Sequence, residues 1–209
     1  MSIKTLRTLS LLAVCIMLSV TVSQAGGSEP GDLIKVSIQK RIPAELDEGA
    51  YIMVNEIQEW QCRKTAIIIC DMWDKHWCTG ATNRVAEMAP LMNEIISIAR
   101  ERGVLIVHAP SDCMDYYSDH PARKLGKKYR SRKVERMLGD GLLESEKGAE
   151  WPFEISGGGC DDEPQCEIGK AWTKQIGTIE IMDGDVITDS GIEAGSIFMK
   201  RGIRNVILV

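Results

Sequence analysis

The sequence predicts an α/β fold built on a mostly parallel sheet. Ala66 to Cys70 is continuously apolar and mostly β-branched, which is typical of a strand covered on both faces. An amphipathic helical pattern follows, and Val104 to His108 is a second apolar strand. Strand, helix and strand in succession form a βαβ unit with a right-handed crossover. Arg204 to Val209 repeats the apolar strand pattern and adds a further parallel strand.

Two strands are predicted before this unit. Leu33 to Ile42 alternates apolar and polar side chains, which suits a strand with one buried face. Tyr51 to Trp60 also has strand character. Together they predict a hairpin within an N-terminal extension, residues 26–60, that packs on the main domain of residues 61–209.

The helix of the βαβ unit follows a polar, aromatic loop. Thr82 or Asn83 is predicted to cap it, because side-chain oxygens of these residue types accept from the free N–H groups of a first turn. Gly103 suits the left-handed position that ends a helix. Between these limits apolar residues recur at helical spacing: Val85, Met88, Ala89, Met92, Ile95, Ile96 and Ala99.

The second half of the chain is less regular. One or two short helices are predicted between Asp115 and Met137, and a surface insertion rich in Gly, Pro and acidic residues spans residues 139–166. Shorter elements are predicted after it: a helix at Ile168–Gln175, strands at Thr178–Ile181 and Val186–Ile187, and a helix at Ser190–Arg201.

The first 25 residues have the three parts of a secretory signal. Lys4 and Arg7 supply positive charge, residues 9–22 form a short apolar stretch, and Ser23-Gln24-Ala25 offers small residues for cleavage after Ala25. The apolar stretch is shorter than the ~20 residues of a membrane span, with an uncleaved anchor as the alternative. The sequence therefore predicts an exported protein, periplasmic or extracellular, without a stable membrane span after cleavage.

The composition limits the partners. The chain has 209 residues, a hydrophobic content of 44% and a formal charge of −5, so it is an acidic globular domain whose field does not attract nucleic acid. A basic run from Arg123 to Arg136 is interpreted as a solvated helix face, with a site for an anionic substrate or partner as the alternative. A small-molecule substrate is expected, and a homo-oligomer paired through exposed helices stays open.

Six of the seven cysteines remain after cleavage, an even number in a compartment that permits disulfides. Cys160 and Cys166 flank a turn-prone loop that a disulfide between them would close. Cys78 and Cys113 each follow a core strand by a few residues, so they form a second candidate pair, with two free thiols as the alternative. Cys70 lies inside a strand and is interpreted as a buried thiol.

No metal site and no cofactor is expected. The chain lacks a CxxC pair, which disfavours a zinc ribbon, and no HxH or HExxH spacing relates its histidines, residues 76, 108 and 120. His108, at the end of an apolar strand, is interpreted as a hydrogen-bonded structural residue.

Chemistry is expected at the carboxyl ends of the parallel strands, where open α/β sheets bind ligands. Asp71 directly follows the first core strand, and Trp73, His76 and Trp77 follow it in the same loop. A carboxylate beside aromatic side chains, which lower the local dielectric constant, is a candidate general base. The alternative is that Asp71 only caps the loop by accepting from backbone amides.

Three runs of sequence resemble the isochorismatase-like cysteine hydrolases, a family that includes nicotinamidases and N-carbamoylsarcosine amidases. The runs are AIIICDMWDKHWC, followed by the long amphipathic helix, then GVLIVHAPSD, and finally GIRNVILV. The resemblance covers Thr65 to Asp112 well and Val186 to Val209 moderately. It implies a Rossmann-like three-layer α/β/α sandwich on a six-stranded parallel sheet. It also implies hydrolysis of C–N bonds in small amides, or in some members of a vinyl ether.

The resemblance implies roles for individual residues. Most members of the family use a cysteine nucleophile, an aspartate that takes its proton and a lysine that stabilises the developing charge. Asp71 matches the aspartate, and this role is reasonable because a thiol with a pKa of ~8.5 needs a neighbouring base or cation to become a thiolate. Trp73, His76 and Trp77 would line the substrate pocket.

Two family positions differ here. Asp189 stands where the family has its lysine, and the family cysteine lies just after the strand that ends at Val209. The sequence is therefore expected to be a C-terminally truncated domain that is inactive on its own, while the full-length protein is a cysteine hydrolase. The alternatives are a catalytically degenerate member that serves as an exported binding or structural protein, and a plain α/β domain of accidental likeness.

Overall fold

The computed structural model describes residues 33–44, 49–139 and 159–209. The predicted signal at residues 1–25 and most of the predicted insertion at residues 139–166 lie outside the described residues. In the part of the chain that is described, no helix has the length and apolarity needed to cross a membrane.

The chain enters the described region as an antiparallel hairpin. Strands β1 (Leu33–Pro43) and β2 (Tyr51–Gln61) pair along their whole length, so that the first residue of β1 lies opposite the last residue of β2. Ile34 packs against the main core, and the Arg102 guanidinium donates to the Leu33 carbonyl at 2.6 Å. The predicted N-terminal hairpin is thus present, and it contacts the main domain at its open end.

Four parallel strands form the central sheet: β3 (Thr65–Cys70), β4 (Leu105–Ala109), β5 (Val186–Ile187) and β6 (Asn205–Leu208). Their order across the sheet is β5, β4, β3, β6. The two longest strands, β3 and β4, therefore lie at the centre, which explains their unbroken apolar runs. The predicted α/β fold with a parallel sheet is confirmed.

Four helices connect or follow these strands: α1 (Thr79–Glu101), α2 (Pro121–Tyr129), α3 (Arg132–Leu138) and α4 (Gly191–Arg201). The two short helices predicted in the middle of the chain and the helix predicted near residue 190 are confirmed. Gly103 follows α1 with a φ of 86°, a conformation that favours glycine, as the sequence predicts.

The start of α1 differs from the prediction that Thr82 or Asn83 caps it. The N-cap is Cys78, whose sulfur accepts from the Ala81 amide at 3.4 Å. Thr82 lies inside the first turn instead, where its hydroxyl accepts from the His76 amide at 2.9 Å. The helix gains this extra turn because the loop before it supplies partners that sequence spacing does not reveal.

Helices pack on the two faces of the sheet. One core cluster joins α1, through Ala89, Ile96 and Ala99, to side chains of the central strands that include Ile67, Ile69 and Ile106. A second cluster joins α2 and α4, the latter through Ile197, to alternate residues of the same strands and of β5, namely Ala66, Leu105, Val107 and Val186. Burial of each large aliphatic side chain stabilises the fold by about 1.5–3 kcal/mol, so the two clusters fix the sheet whose carboxyl edge carries Asp71.

Two predicted elements are wrong: residues 168–175 form no helix, and residues 178–181 form no strand. Their backbone groups bond to distant side chains and to local turns instead. The Thr173 amide donates to the Asp74 carboxylate at 3.0 Å, and the Glu180 amide donates to the Asn93 side chain at 3.0 Å. Partners so far away in sequence are invisible to a local pattern.

The basic run is a solvated face with one exception. Arg123 is only 7% exposed, and it pairs with the buried Glu193 of α4. Its neighbour Lys124 extends into solvent, as predicted, with 60% of its side chain exposed. The interpretation of the run is therefore wrong at Arg123, because α2 turns that residue towards α4.

Candidate active site

Asp71 lies at the carboxyl end of β3 in a left-handed conformation, with a φ of 49°. Few residues other than glycine adopt this conformation, and it marks a position that the surrounding structure holds in place. The Asp71 amide donates to the Ala109 carbonyl at 3.2 Å, and its own carbonyl accepts from the Trp73 amide at 2.8 Å. The residue therefore turns the chain sharply out of the sheet.

The Asp71 carboxylate is half-buried and contacts the loop that follows β4. Its Oδ1 atom accepts from the Ser111 amide at 2.9 Å. This is the backbone contact of the capping alternative, so a structural role for one oxygen is present. Within the described part of the chain Oδ2 has no such bond.

Aromatic rings pack beside this carboxylate. Trp73 donates through Nε1 to the Ser111 carbonyl at 3.1 Å, which ties the ring to the same loop as Asp71. Trp172 stacks on Trp73 with 4.2 Å between ring centroids, and His76 stacks on Trp172 at 5.6 Å. Trp172 was not predicted as a site residue, because it reaches the cluster from a segment that sequence analysis interpreted as a helix.

A cleft of about 570 Å³ opens next to these rings. Of the three aromatic residues predicted for the pocket, His76 and Trp77 line it, whereas Trp73 packs against the buried cluster around Tyr117. The cleft walls come from the loop before α1 and from the segment after the insertion: Lys75, His76, Trp77, Thr79, Thr82, Glu167, Ile168, Gly169, Lys170 and Ala171. A mixed polar and aromatic wall of this size suits a small molecule.

Asp74 bonds to the segment that directly follows one wall of the cleft. Its carboxylate accepts from the Thr173 amide at 3.0 Å, from the Thr173 hydroxyl at 2.7 Å and from the Lys174 amide at 3.2 Å. Burial raises the pKa of Asp74, but the bonds from Thr173 and Lys174 outweigh it and leave the pKa below its ordinary value. The ionised form therefore holds the segment that carries Trp172.

We expect replacement of Asp74 by alanine to lower the free energy of unfolding by about 1–2 kcal/mol, because charge-assisted hydrogen bonds are lost at a partly solvated site. Tryptophan fluorescence should also change as Trp172 separates from Trp73. The matched control is Asp183→Ala, which removes an exposed carboxylate of the turn before β5. Equal urea midpoints and equal emission spectra for the two variants would contradict this function of Asp74.

The six cysteines of the described region are free thiols, so neither predicted disulfide is formed in the structure. Cys160 and Cys166 both contact the Asp162 carboxylate, and Cys78 contacts it as well. Cys113 lies in a separate cluster with Tyr117. Burial raises the pKa of the Cys113 thiol to about 11, so it is protonated at neutral pH and is a poor nucleophile.

Asp189, at the position where the resemblance implies a lysine, is exposed just beyond the end of β5. The preceding residue, Thr188, points inward and donates to Glu193 at 2.6 Å. His108 is fully buried, with Gln175 on Nδ1 at 2.8 Å and Asp185 on Nε2 at 3.1 Å. The interpretation of His108 as a hydrogen-bonded structural histidine is confirmed.

No protein-family model matches the chain, and no curated protein matches it by sequence. The likeness to isochorismatase-like hydrolases therefore stands on the motifs around Asp71 and along β4 and β6.

Proposed function

We propose that this protein is an exported isochorismatase-like hydrolase, with the three-layer α/β/α fold of that family, that cleaves the C–N bond of a small amide or a related small molecule. Asp71 is the general base, and the nucleophile is a cysteine directly after β6. The observation that carries the proposal is the position of Asp71, held in a left-handed turn at the sheet edge beside an aromatic cleft.

The pairing of β3 with β6 supports the place given to the nucleophile. The Cys70 amide donates to the Val209 carbonyl at 2.8 Å, and the Val209 amide donates to the Ile68 carbonyl at 3.0 Å. Because Cys70 immediately precedes Asp71, a residue that follows Val209 emerges beside the Asp71 turn. A cysteine there lies at the same sheet edge as the base, which the reaction requires.

The proposed reaction has two stages. Asp71 takes the proton of the thiol, the sulfur attacks the amide carbon, and the C–N bond breaks as Asp71 returns the proton to the leaving amine. Water then attacks the resulting thioester, giving the carboxylic acid and the free thiol. Trp77 and His76 line the cleft next to this edge, where they would hold the substrate.

The cleft also offers positive charge. Lys75 and Lys170 line it, and the Lys170 ammonium donates to the Asp112 carbonyl at 2.9 Å, in the loop after β4. These lysines favour a substrate with a carboxylate or a polarised carbonyl. They also provide cations beside the cleft, while Asp189 stands at the position of the lysine that the resemblance implies.

We expect Asp71→Asn to lower kcat/KM for amide hydrolysis by about 100- to 10,000-fold, the usual contribution of a general base. The protein is expressed from its gene with all that the gene encodes after Val209, and ammonia release is measured over a panel of small amides. The matched control is Asp119→Asn, whose side chain is 98% exposed. Activity retained in Asp71→Asn would exclude the role of Asp71 as the base.

A second candidate function is an exported binding protein without catalysis. The exposed Asp189 at the expected lysine position favours it. This function predicts that amides or carboxylates bind in the cleft, with Trp77 fluorescence as the readout, while no cysteine follows β6 and no ammonia is released.

A further inference from the structure

Three thiols and one carboxylate meet beside the start of α1, apart from Asp71. Cys78 comes from the loop after β3, and Cys160, Asp162 and Cys166 come from the segment after the insertion. The sulfurs lie 3.4 Å (Cys78), 3.7 Å (Cys160) and 3.2 Å (Cys166) from the same oxygen, Oδ2 of Asp162. The ligand atoms of Cys78, Cys160 and Asp162 all lie within 4.8 Å of one another.

Hydrogen bonds alone do not account for this arrangement. The Gly80 amide also donates to Oδ2 of Asp162, at 2.9 Å, so that four donors converge on one oxygen. A carboxylate oxygen has two lone pairs, so four donors on one oxygen exceed the number that it accepts with good geometry. Three thiols around one carboxylate are also a set of ligands that a metal ion can bind.

The separations match the ligand shell of a single metal ion. Bonds of about 2.3 Å to sulfur and about 2.0 Å to oxygen, set at the tetrahedral angle of Zn²⁺, put each sulfur about 3.5 Å from the oxygen. The three observed sulfur–oxygen distances, 3.2–3.7 Å, bracket this value. Cys78, Cys160 and Asp162 can thus bind one ion with small shifts, and Cys166, whose sulfur lies outside their 4.8 Å group, joins them after a larger movement of its side chain.

The surroundings also suit a bound cation with anionic ligands. The amides at the start of α1 point at the cluster, because Gly80 donates to Asp162 and the Ala81 amide donates to the Cys78 sulfur. Arg84 adds a guanidinium 3.0 Å from Asp161. Three thiolates and a carboxylate exceed the charge of one divalent ion, and these groups offset the excess.

We propose that Cys78, Cys160, Asp162 and Cys166 bind one Zn²⁺ ion in a closed tetrahedral site. Thiolate ligands favour a soft ion, and four protein ligands leave no position for water, so the site is structural. This site is independent of the proposed hydrolase function. It also differs from the expectation that no metal binds, which depended on the absence of a CxxC pair.

The site has a consequence for the cleft. Residues 167–171, which form one cleft wall, directly follow Cys166, and residues 75–77 and 79, from the other wall, flank Cys78. An ion that joins Cys78 to Cys166 therefore fixes the two walls relative to each other. Removal of the ion should loosen the cleft without altering the central sheet.

Metal titration of the full chain tests this proposal. Protein purified under reducing, metal-free conditions should bind one equivalent of Zn²⁺, and Co²⁺ in its place should give the visible spectrum of a tetrahedral ion together with intense thiolate charge-transfer absorption. We expect Cys160→Ser and Asp162→Ala each to weaken Zn²⁺ binding at least about 100-fold. Loss of a residue that only contacts a metal ligand weakens binding by about 10–100-fold, and loss of a ligand itself should weaken it no less. Cys70→Ala, a change of a thiol outside the cluster, is the matched control and should bind normally.

The cobalt spectrum of the unmodified chain reports thiolate ligation directly, so a variant that fails to fold does not decide the outcome. Absence of charge-transfer absorption, or equal Zn²⁺ affinity in the Cys160→Ser variant and the parent, would overturn the proposal. A disulfide between any two of Cys78, Cys160 and Cys166, found by peptide mapping without reductant in the secreted protein, would overturn it as well.

Discussion

Replacing Asp185 by alanine is expected to lower the free energy of unfolding by about 3–5 kcal/mol, the usual cost of removing one partner of a buried ion pair. Asp185 is 3% exposed and accepts from His108 Nε2 at 3.1 Å and from the Arg100 guanidinium at 3.0 and 2.9 Å. The Met182 amide donates to the same carboxylate at 2.9 Å. Alanine leaves all of these donors without an acceptor.

The burial of His108 makes this loss large. Gln175 donates through Nε2 to the Ile179 carbonyl, which turns its Oε1 towards Nδ1 of His108. Both ring nitrogens of His108 thus face oxygen partners, and removal of Asp185 leaves Nε2 without its partner at a side chain that is 0% exposed.

Urea denaturation of the parent and of Asp185→Ala measures the difference in their free energies of unfolding. The control is Glu59→Ala, which breaks the pair with Lys35 on the hairpin, where the side chains are 52% and 75% exposed. Loss of that surface pair should cost less than about 1 kcal/mol. A cost for Asp185→Ala no larger than that of the control would show that the buried network does not stabilise the fold.

The pH dependence of stability has a definite sign. Burial raises the pKa of Asp185, but the bonds from His108 and Arg100 outweigh it and hold the pKa below its ordinary value. A carboxyl group of this kind stabilises the fold above its unfolded pKa of about 3.9, and the contribution is lost as the pH falls through the lower, folded pKa. The stability difference between the parent and Asp185→Asn should therefore be full at neutral pH and shrink in acid.

The elements that sequence analysis predicts correctly are those whose pattern is local. β3 and β4 are apolar because each strand is buried on both faces, and α4 has helical periodicity between Ser190 and Gly202. For these elements burial acts on consecutive or periodic residues, so their type can be inferred from spacing alone. Asp71 was found by the same reasoning, since it marks the end of a recognisable strand.

The parts that sequence analysis misses depend on contacts between distant residues. Trp172 joins the aromatic cluster because Asp74 fixes the segment that carries it, at a separation of about 100 residues. Cys78 and Asp162 meet across 84 positions. Neither contact has a periodic signature, so the irregular wall of the cleft and the thiol cluster become visible only in the fold.

The second large effect is expected at Arg123, where alanine should lower the free energy of unfolding by about 3–5 kcal/mol. Its guanidinium bonds to both carboxylate oxygens of Glu193 and donates to the Ile187 carbonyl at 3.2 Å. Burial raises the pKa of Glu193, but the bonds from Arg123 and Thr188 bring it below its ordinary value. Loss of Arg123 would leave an ionised carboxylate buried between α2, α4 and β5.

A double-mutant cycle separates the ion pair from the packing. We expect Arg123→Met with Glu193→Gln to cost less than the sum of the two single variants, by about 1–3 kcal/mol, because the two side chains contact each other. Lys124→Ala is the control in the same helix, since its partner Asp119 is 98% exposed and the pair should be worth less than about 1 kcal/mol. Additive losses of the free energy of unfolding in the cycle, or equal losses at Arg123 and Lys124, would contradict a stabilising buried ion pair. Either result would support the solvated position that the sequence predicts for Arg123.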